Sequence, residues 1–177
     1  MTGPTWPNGV GGLSRRPRLF SAAALLIVLA SAASGQTSDE NEQRFAEGLA
    51  AYDAGDYETT VEAWFPLAEA GVPEAQVALA DLYMNGLGVK ADPAAAAAWY
   101  RRAAEAGDAV GQLNLGDLYA RGLGVPPDLV EAYAWFSLSA VQGRVWPAER
   151  RDEIAPQLDA AQKADAAARI TRYKAGG

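Results

Sequence analysis

The sequence of 177 residues contains neither cysteine nor histidine. Without cysteine, disulfides and thiolate metal sites cannot form, and without histidine the chain lacks the commonest general base and the commonest metal ligand. The serines after position 36 are only Ser38, Ser137 and Ser139, and no imidazole is present to activate them. Catalytic-serine and phosphate-loop motifs are missing as well. We therefore expect a protein that is not an enzyme and has no metal ion or cofactor.

Acidic side chains are missing from the first 36 residues, which carry only three arginines, all within residues 15–18. An uncharged run follows at residues 19–33, with a cleavage site of the Ala-x-Ala kind at residues 30–32. This pattern predicts a secretory signal peptide over residues 1–36, cleaved between residues 32 and 37. A retained membrane anchor is the alternative, but the run is shorter than the about 20 apolar residues of a spanning helix. Arg18 stands where a twin-arginine signal prefers an apolar side chain, which favours Sec export to the periplasm or the medium.

Basic side chains are scarce in the rest of the chain. Removing the three arginines of the first 36 residues from 15 basic and 22 acidic side chains leaves a formal charge of −10. Ten of the acids fall within residues 37–74, where Arg44 is the single basic residue. This charge argues against nucleic acid as a partner. The acidic N-terminal part either steers a basic partner or a cation toward the first repeat, or is a solvated face that keeps an alanine-rich array soluble.

The strongest pattern is an internal repeat with a period of 36 residues. Residues 75–107 and 111–143 align without a gap at 15 identical positions out of 33. A period in the thirties is typical of repeat proteins, in which each unit buries its apolar face against its neighbours. We therefore expect the two segments to fold alike and to stack.

Each copy is predicted to form two helices joined by a glycine loop. Apolar residues recur at helical spacing in the first helix, which ends at Gly86 in one copy and at Gly122 in the other. The second helix begins at Asp92, an N-cap before proline, or at Asp128, which forms a capping box with Glu131. The apolar residues of the loop, which reads GLGV in both copies, are expected to pack back against the helices.

A tryptophan occupies the same register in both second helices, at Trp99 and Trp135. Small residues lie three to four positions away, which would let the first helix approach closely. A tryptophan stripe can also form a platform for a ligand, but its recurrence in two copies favours a shared core.

A long motif lies within residues 74–143, and the second copy departs from it only at Gly111, Phe136 and Ser139. Its positions in the first copy are Ala75, Gln76, Leu79, Leu82, Tyr83, Gly86, Gly88, Val89, Asp92, Ala96, Trp99, Tyr100, Ala103, Ala104 and Gly107. The motif resembles the Sel-one-like repeat of the tetratricopeptide superfamily, whose bacterial members are often exported. This resemblance implies an all-α fold, an α/α solenoid of antiparallel helix pairs in a right-handed superhelix. It also implies a role as adaptor, regulator or scaffold that binds another protein or a peptide.

The segments on either side are expected to extend this array. Residues 37–73 are predicted to form a degenerate tetratricopeptide-like repeat, which as the first unit would cap the array. The two Sel-one-like repeats then occupy residues 74–109 and 110–145. Residues 146–177 are predicted to form C-terminal capping helices.

The C-terminal part carries its own helix signals. Pro156 is expected to break a first helix, because proline cannot continue one. Asp159 and Gln162 form a capping-box pattern that begins a last helix, predicted to reach about Tyr173.

Candidate contacts for a partner are polar or small positions on the first helices, which line the concave surface in solenoids of this family. They are Ala78, Asp81 and Asn85 in the first repeat and Asn114, Asp117 and Arg121 in the second. The partner is expected to be an unidentified protein or peptide, with no nucleic acid and no membrane span after signal cleavage.

Two other functions are alternatives to this binding role. One is a structural envelope protein that associates with itself through the ends of the array. The other is a hydrolase that uses the carboxylates of Asp81 and Asp117 as a pair, provided that they meet across the groove.

Overall fold

The computed structural model describes residues 38–143 and 145–176, which form eight α-helices and no strand. The helices are α1 (Ser38–Ala54), α2 (Tyr57–Glu69), α3 (Pro73–Asn85), α4 (Pro93–Glu105), α5 (Ala109–Arg121), α6 (Leu129–Ala140), α7 (Val145–Ile154) and α8 (Ala160–Gly176). From α1 to α7 each helix packs against the next along the chain, and α8 packs along α6. The predicted all-α repeat solenoid is confirmed. The predicted signal peptide lies outside the described residues, within which no helix is long and apolar enough to span a bilayer.

The caps predicted from the repeat are present. Gly86 and Gly122 follow α3 and α5 in the left-handed conformation, with φ of 67° and 66°. The carboxylate of Asp92 accepts hydrogen bonds from two backbone N–H groups of the first turn of α4, both at 3.0 Å. Asp128 does the same at the start of α6, at 2.9 and 3.0 Å.

The reciprocal half of the predicted capping box at α6 is wrong. The backbone N–H of Asp128, which Glu131 was expected to satisfy, donates instead to the carbonyl of Tyr119 at 3.0 Å. The Glu131 carboxylate is therefore released for other partners, and it binds Arg169 and Tyr173 of α8. This contact ties the last helix to the second repeat.

The second glycine of each loop is required by close packing, which the sequence pattern did not reveal. Gly88 has a φ of +67°, and a Cβ there would lie 2.2 Å from the carbonyl oxygen of Tyr57 at the start of α2. Gly124 has a φ of +70°, and its Cβ would lie 2.1 Å from the carbonyl oxygen of Pro93 at the start of α4. Each loop thus docks on the N-terminal end of the second helix in the preceding unit.

The two tryptophans of the repeat lie in the interior, as predicted. Trp99 is 9% exposed and Trp135 is 2% exposed. Trp64 of α2 is also buried, where its ring stacks on Phe45 with 5.4 Å between centroids and its indole N–H donates to the carbonyl of Phe45. The predicted packing of the loop residues is confirmed as well, because the leucine and valine of both GLGV loops contact the core.

The last two helices follow the predicted signals, and the last one is longer than expected. A 3-10 turn at Ala155–Gln157 ends α7, and the Asp159–Gln162 capping box forms, with hydrogen bonds of 2.8 and 2.9 Å. Helix α8 continues beyond Tyr173 to Gly176.

Candidate protein-binding surface

The predicted contact residues lie on α3 and α5, the first helices of the two repeats. These helices contact each other directly as well as the second helix of each pair. Asp81 and Asp117 are equivalent positions 36 residues apart, and so are Asn85 and Arg121. The surface is therefore built from the same positions twice.

The interpretation of Ala78 as a position outside the core is wrong. Its side chain is 2% exposed and belongs to the main apolar cluster. Alanine is found both in protein interiors and on exposed helix faces, so its presence in the sequence did not indicate that this position is buried. Ala78 is therefore not available to a partner in this arrangement.

The Asp81 carboxylate is largely buried beneath the surface, beside Tyr100, a contact that the sequence did not predict. The hydroxyl of Tyr100 on α4 donates a hydrogen bond to the Asp81 carboxylate. Burial raises the pKa of Asp81 above its ordinary value, although the hydrogen bond from Tyr100 opposes this effect. Burial and the charge of Asp81 together raise the pKa of Tyr100, which stays protonated as the donor.

Asp117, the equivalent residue in the second repeat, has cationic neighbours instead. Arg150 of α7 forms an ion pair with its carboxylate, and Arg121 contacts it at 3.2 Å from one turn further along α5. Both the Arg150 and the Asp117 side chains are largely withdrawn from water. The carboxylate is thus held by two guanidinium groups before any partner arrives.

The different neighbours follow from one difference between the repeats. Phe136 of α6 occupies the position that Tyr100 has on α4, so the second repeat has no hydroxyl to donate to Asp117. Arg150 fills this role from the next helix, and its guanidinium carbon lies 5.9 Å from the centroid of the Phe136 ring. The equivalence of Tyr100 and Phe136 is visible in the sequence, but the identity of the replacement donor is not.

The remaining predicted contacts differ in how far they reach into solvent. Asn85 and Arg121 are exposed, and Asn114 is half-buried. The side-chain amide of Asn85 donates to the backbone carbonyl of Asp81 at 2.7 Å, which fixes its direction at the end of α3. Asn85 and Arg121 are therefore the two equivalent side chains that remain within reach of a partner.

The carboxylates of Asp81 and Asp117 do not form the pair that a hydrolase would need. Asp81 binds Tyr100, whereas Asp117 binds Arg150 and Arg121. In addition, residues 38–143 and 145–176 bring together no cluster of acidic side chains that could hold a metal ion. The polar groups of this surface thus bind one another and position the helices.

A recurrent glutamine is a further residue that the sequence analysis left without a role. The side-chain amides of Gln76 and Gln112 donate to the carbonyls of Ala68 and Ala104, at 3.0 and 3.2 Å. Both glutamines are buried, and each ties a first helix to the end of the preceding second helix. Recurrence at a 36-residue interval was the signal that could have predicted this link between units.

Comparisons with known proteins agree with this architecture. Residues 73–108 and 109–143 match the family model of the Sel1 repeat, which is the Sel-one-like repeat indicated by the motif. No curated protein sequence matches the chain.

Among solved structures, the chain is similar to c5321, a protective antigen of uropathogenic Escherichia coli strains with an SLR fold, at 31% identity and a TM-score of 0.71. This match covers 75% of the present chain and 29% of that one. A Sel1 repeat protein from Oxalobacter formigenes is 32% identical with a TM-score of 0.59, over 62% of this chain and 45% of that one. The chain thus spans less than half the length of either relative.

A third structure, Helicobacter pylori cysteine rich protein B, shares the fold with a TM-score of 0.51 at 20% identity, over 66% of this chain and 98% of that one. The present chain has no cysteine, so no disulfide links its units. Two matched repeats within an array of helix pairs identify residues 73–143 as Sel1 repeats. The chain is an α-helical repeat solenoid that carries two Sel1 repeats.

Proposed function

We propose that this protein is a non-enzymatic adaptor or scaffold that binds another protein or a peptide through the surface formed by α3 and α5. Sel1 repeat proteins commonly mediate protein–protein interactions. The observation that carries the proposal is the arrangement of this surface, in which Asp81 and Asp117 are held by internal partners while Asn85 and Arg121 stay exposed. A rigid surface with a few exposed polar groups suits recognition of a partner, because little side-chain entropy is lost on binding.

We also propose that the protein acts in the periplasm or after secretion. The predicted signal peptide over residues 1–36 supports this location. Sequencing the N-terminus of the protein purified from the periplasmic fraction tests it. A mature N-terminus between residues 32 and 37 is expected, and an intact N-terminus in a cytoplasmic fraction would contradict the location.

The polar surface of the array ends favours a partner of another kind over stacking of copies. At the N-terminal end, the exposed positions of α1 include Gln43, Glu47 and Asp53, which would have to be desolvated in a stacked dimer. At the other end, α8 already lies on α6. Sedimentation velocity over a hundredfold range of protein concentration should therefore show one monomeric species.

Site-specific crosslinking in living cells tests the binding surface. A photoreactive amino acid is placed at Asn85 or at Arg121, and a matched control carries it at Glu62, which is exposed on α2, a second helix. We expect the first two variants to form the same adduct with one envelope protein and the control to form none. Equal adducts at all three positions, or adducts from Glu62 alone, would show that the partner binds elsewhere.

A further inference from the structure

Helix α8 lies along α6 through a narrow line of contacts. Ala166 is buried against Val130 of α6 and Leu158, which precedes α8. The contacts advance in the same direction along both helices, from Ala166 at Val130 to Tyr173 at Trp135. The two helices therefore run parallel to each other, with a fixed pairing of side chains over about two turns of α8.

Polar anchors fix this register. The guanidinium group of Arg169 binds the carboxylates of Asp128 and Glu131 at 3.0 and 2.8 Å. The hydroxyl of Tyr173 donates to the Glu131 carboxylate at 2.9 Å, and the Tyr173 ring stacks on Trp135 with 4.1 Å between centroids. The N-cap residue Asp128 and Glu131 of α6 thus form an acidic pair beside the ring of Trp135.

The residues of α8 that make these contacts have the spacing of a helix bound in a groove. Ala166, Arg169, Ile170 and Tyr173 are at positions i, i+3, i+4 and i+7, the anchors that amphipathic helices use when they bind another protein. Nearly all other described side chains of α8 are exposed. The helix therefore contacts α6 along a single face, as a bound peptide would.

The same face has a docking role in the preceding unit. The start of α4 receives the loop at Gly124, just as the start of α2 receives the loop at Gly88. No GLGV loop follows α6, and Arg169 of α8 binds Asp128 at the equivalent end. The beginning of a second helix is thus a recurrent docking position in this array, and at α6 a C-terminal helix occupies it.

Helix α8 is expected to stay helical when it detaches from α6. Its 17 residues are rich in alanine and include an ion pair between Asp165 and Arg169 one turn apart, and both features stabilise an isolated helix. At its C-terminal end, Tyr173 and Lys174 line a cavity of about 270 Å³ together with Leu138 and Gln142 of the preceding pair, so the packing is open there. Detachment of α8 would therefore break the contacts of one row of side chains, Ala166, Arg169, Ile170 and Tyr173.

We propose that the face of α6 formed by Val130, Glu131 and Trp135, the α6 groove, is a second binding site for an amphipathic helix, with α8 as its resident, autoinhibitory occupant. The displacing partner is a helix with an arginine four residues before an aromatic residue, the spacing of Arg169 and Tyr173. The arginine binds the Asp128–Glu131 pair, and the aromatic ring stacks on Trp135. This site is separate from the surface of α3 and α5.

A synthetic peptide of residues 159–176 is the probe for the α6 groove. The full-length variant Arg169→Glu/Tyr173→Ala loses both anchors of α8, so we expect its α8 amides to exchange with solvent at least tenfold faster while α3 to α6 stay protected. The fluorescently labelled peptide should bind this variant at least tenfold more tightly than the unmodified protein. Arg172→Glu is the matched control, because Arg172 is exposed on the same helix, and it should leave α8 docked and the peptide excluded.

Two results would overturn the proposal. One is unchanged protection of α8 in the double variant, or no gain in peptide affinity, which would make α8 a permanent part of the array. The other is a concentration-dependent dimer of the unmodified protein with exchanged α8 helices, which would make a second copy the occupant. If the double variant loses the protection of α3 to α6, the single variant Tyr173→Ala serves for the same comparison. Crosslinking at Asn85 and Arg121 is independent of all these outcomes.

Discussion

The hydroxyl of Tyr100 donates a hydrogen bond to the carboxylate of Asp81, and this bond links the two helices of the first Sel1 repeat. The donor is neutral, so it compensates only part of the cost of removing the Asp81 charge from water. In the second repeat, Arg150 gives Asp117 a full opposite charge. The buried charge of Asp81 is therefore compensated less fully than that of Asp117. We expect the contribution of Asp81 to folding stability to depend more strongly on pH.

The substitution Asp81→Asn should stabilise the protein at neutral pH. Burial raises the pKa of Asp81 above its ordinary value of 3.8, so the folded state holds this proton more tightly than the unfolded state does. Stability of the unmodified protein is therefore lost as pH rises from that ordinary value through the raised one. Asparagine has no charge to bury and can still accept the hydrogen bond from Tyr100. Urea unfolding at several values between pH 4 and pH 8 should show the stability difference in favour of Asp81→Asn growing with pH.

The variant Tyr100→Phe supplies the control for this prediction. The hydrogen bond from Tyr100 lowers the pKa of Asp81. In Tyr100→Phe this pKa should therefore rise further, and the decrease in stability should extend to higher pH than in the unmodified protein. The ring itself should fit, because phenylalanine occupies the equivalent position at Phe136. A constant difference between Asp81→Asn and the unmodified protein at every pH would show that Asp81 does not titrate in the folded state as proposed.

Stability should increase when the first repeat receives a hydrogen bond that only the second one has. The amide of Gln142 donates to Gln112 Oε1 at 3.1 Å, whereas Gln76 Oε1, the equivalent atom, is buried without a partner among the described residues. Ala106 stands where the second repeat has Gln142, and it is exposed at the end of α4. The substitution Ala106→Gln should therefore stabilise the protein by about 1 kcal/mol, the net value of a typical hydrogen bond.

Denaturant unfolding measures this gain against two variants. Ala106→Met has similar length without a donor, and it should not reproduce the effect. Gln142→Ala removes the existing donor and should cost about 1 kcal/mol, because it leaves Gln112 Oε1 unsatisfied. Equal stability of Ala106→Gln and Ala106→Met would contradict the prediction, because only the glutamine can donate a hydrogen bond to Gln76 Oε1.

Two glycines separate the cost of backbone strain from the cost of steric overlap. The backbone at Gly107 has a φ of +90°, but a Cβ added there would meet nothing within 4 Å among the described residues. A Cβ added at Gly124 would overlap the carbonyl of Pro93. We expect Gly107→Ala to cost about 1 to 2 kcal/mol, the penalty of the left-handed conformation. Gly124→Ala should add an overpacking cost of about 1 to 3 kcal/mol. Equal losses of unfolding free energy in the two variants would mean that the loop can move away from α4.

The sequence predicted those features that recur at the 36-residue interval. The helix ends at Gly86 and Gly122, the N-caps and the buried tryptophans each depend on local residue types, so one copy supported the other. The role of Gly88 escaped this reasoning because its contact is with Tyr57, in another unit. A repeat thus reveals its own secondary structure more directly than its contacts with neighbours.

The candidate surface was harder to predict for a related reason. The neighbours of Asp81 and Asp117 differ because Tyr100 is replaced by Phe136, and Arg150 comes from a segment outside the two repeats. The burial of Ala78 was missed because alanine gives no polarity signal. Where a residue differs between the two repeats, its contacts are made by residues outside the repeats, such as Arg150, which the 36-residue period does not identify.

The interior tryptophans should dominate the stability of the array. Trp99 and Trp135 are both buried, and Trp135 also carries the stacked ring of Tyr173 from α8. Trp99→Ala and Trp135→Ala should each cost about 3 to 5 kcal/mol, as truncation of a buried aromatic residue does. Urea unfolding followed by circular dichroism at the helix band measures the loss.

A third tryptophan provides the matched control for this prediction. Trp146 is 70% exposed, so Trp146→Ala should change stability by less than about 0.5 kcal/mol, as surface substitutions do. Losses below about 1 kcal/mol for both Trp99→Ala and Trp135→Ala would place these side chains outside the core and contradict the fold. A large loss for Trp135→Ala together with release of α8 would show, in addition, that the same indole supports both the repeat and its last helix, because Tyr173 has no other aromatic ring stacked on it among the described residues.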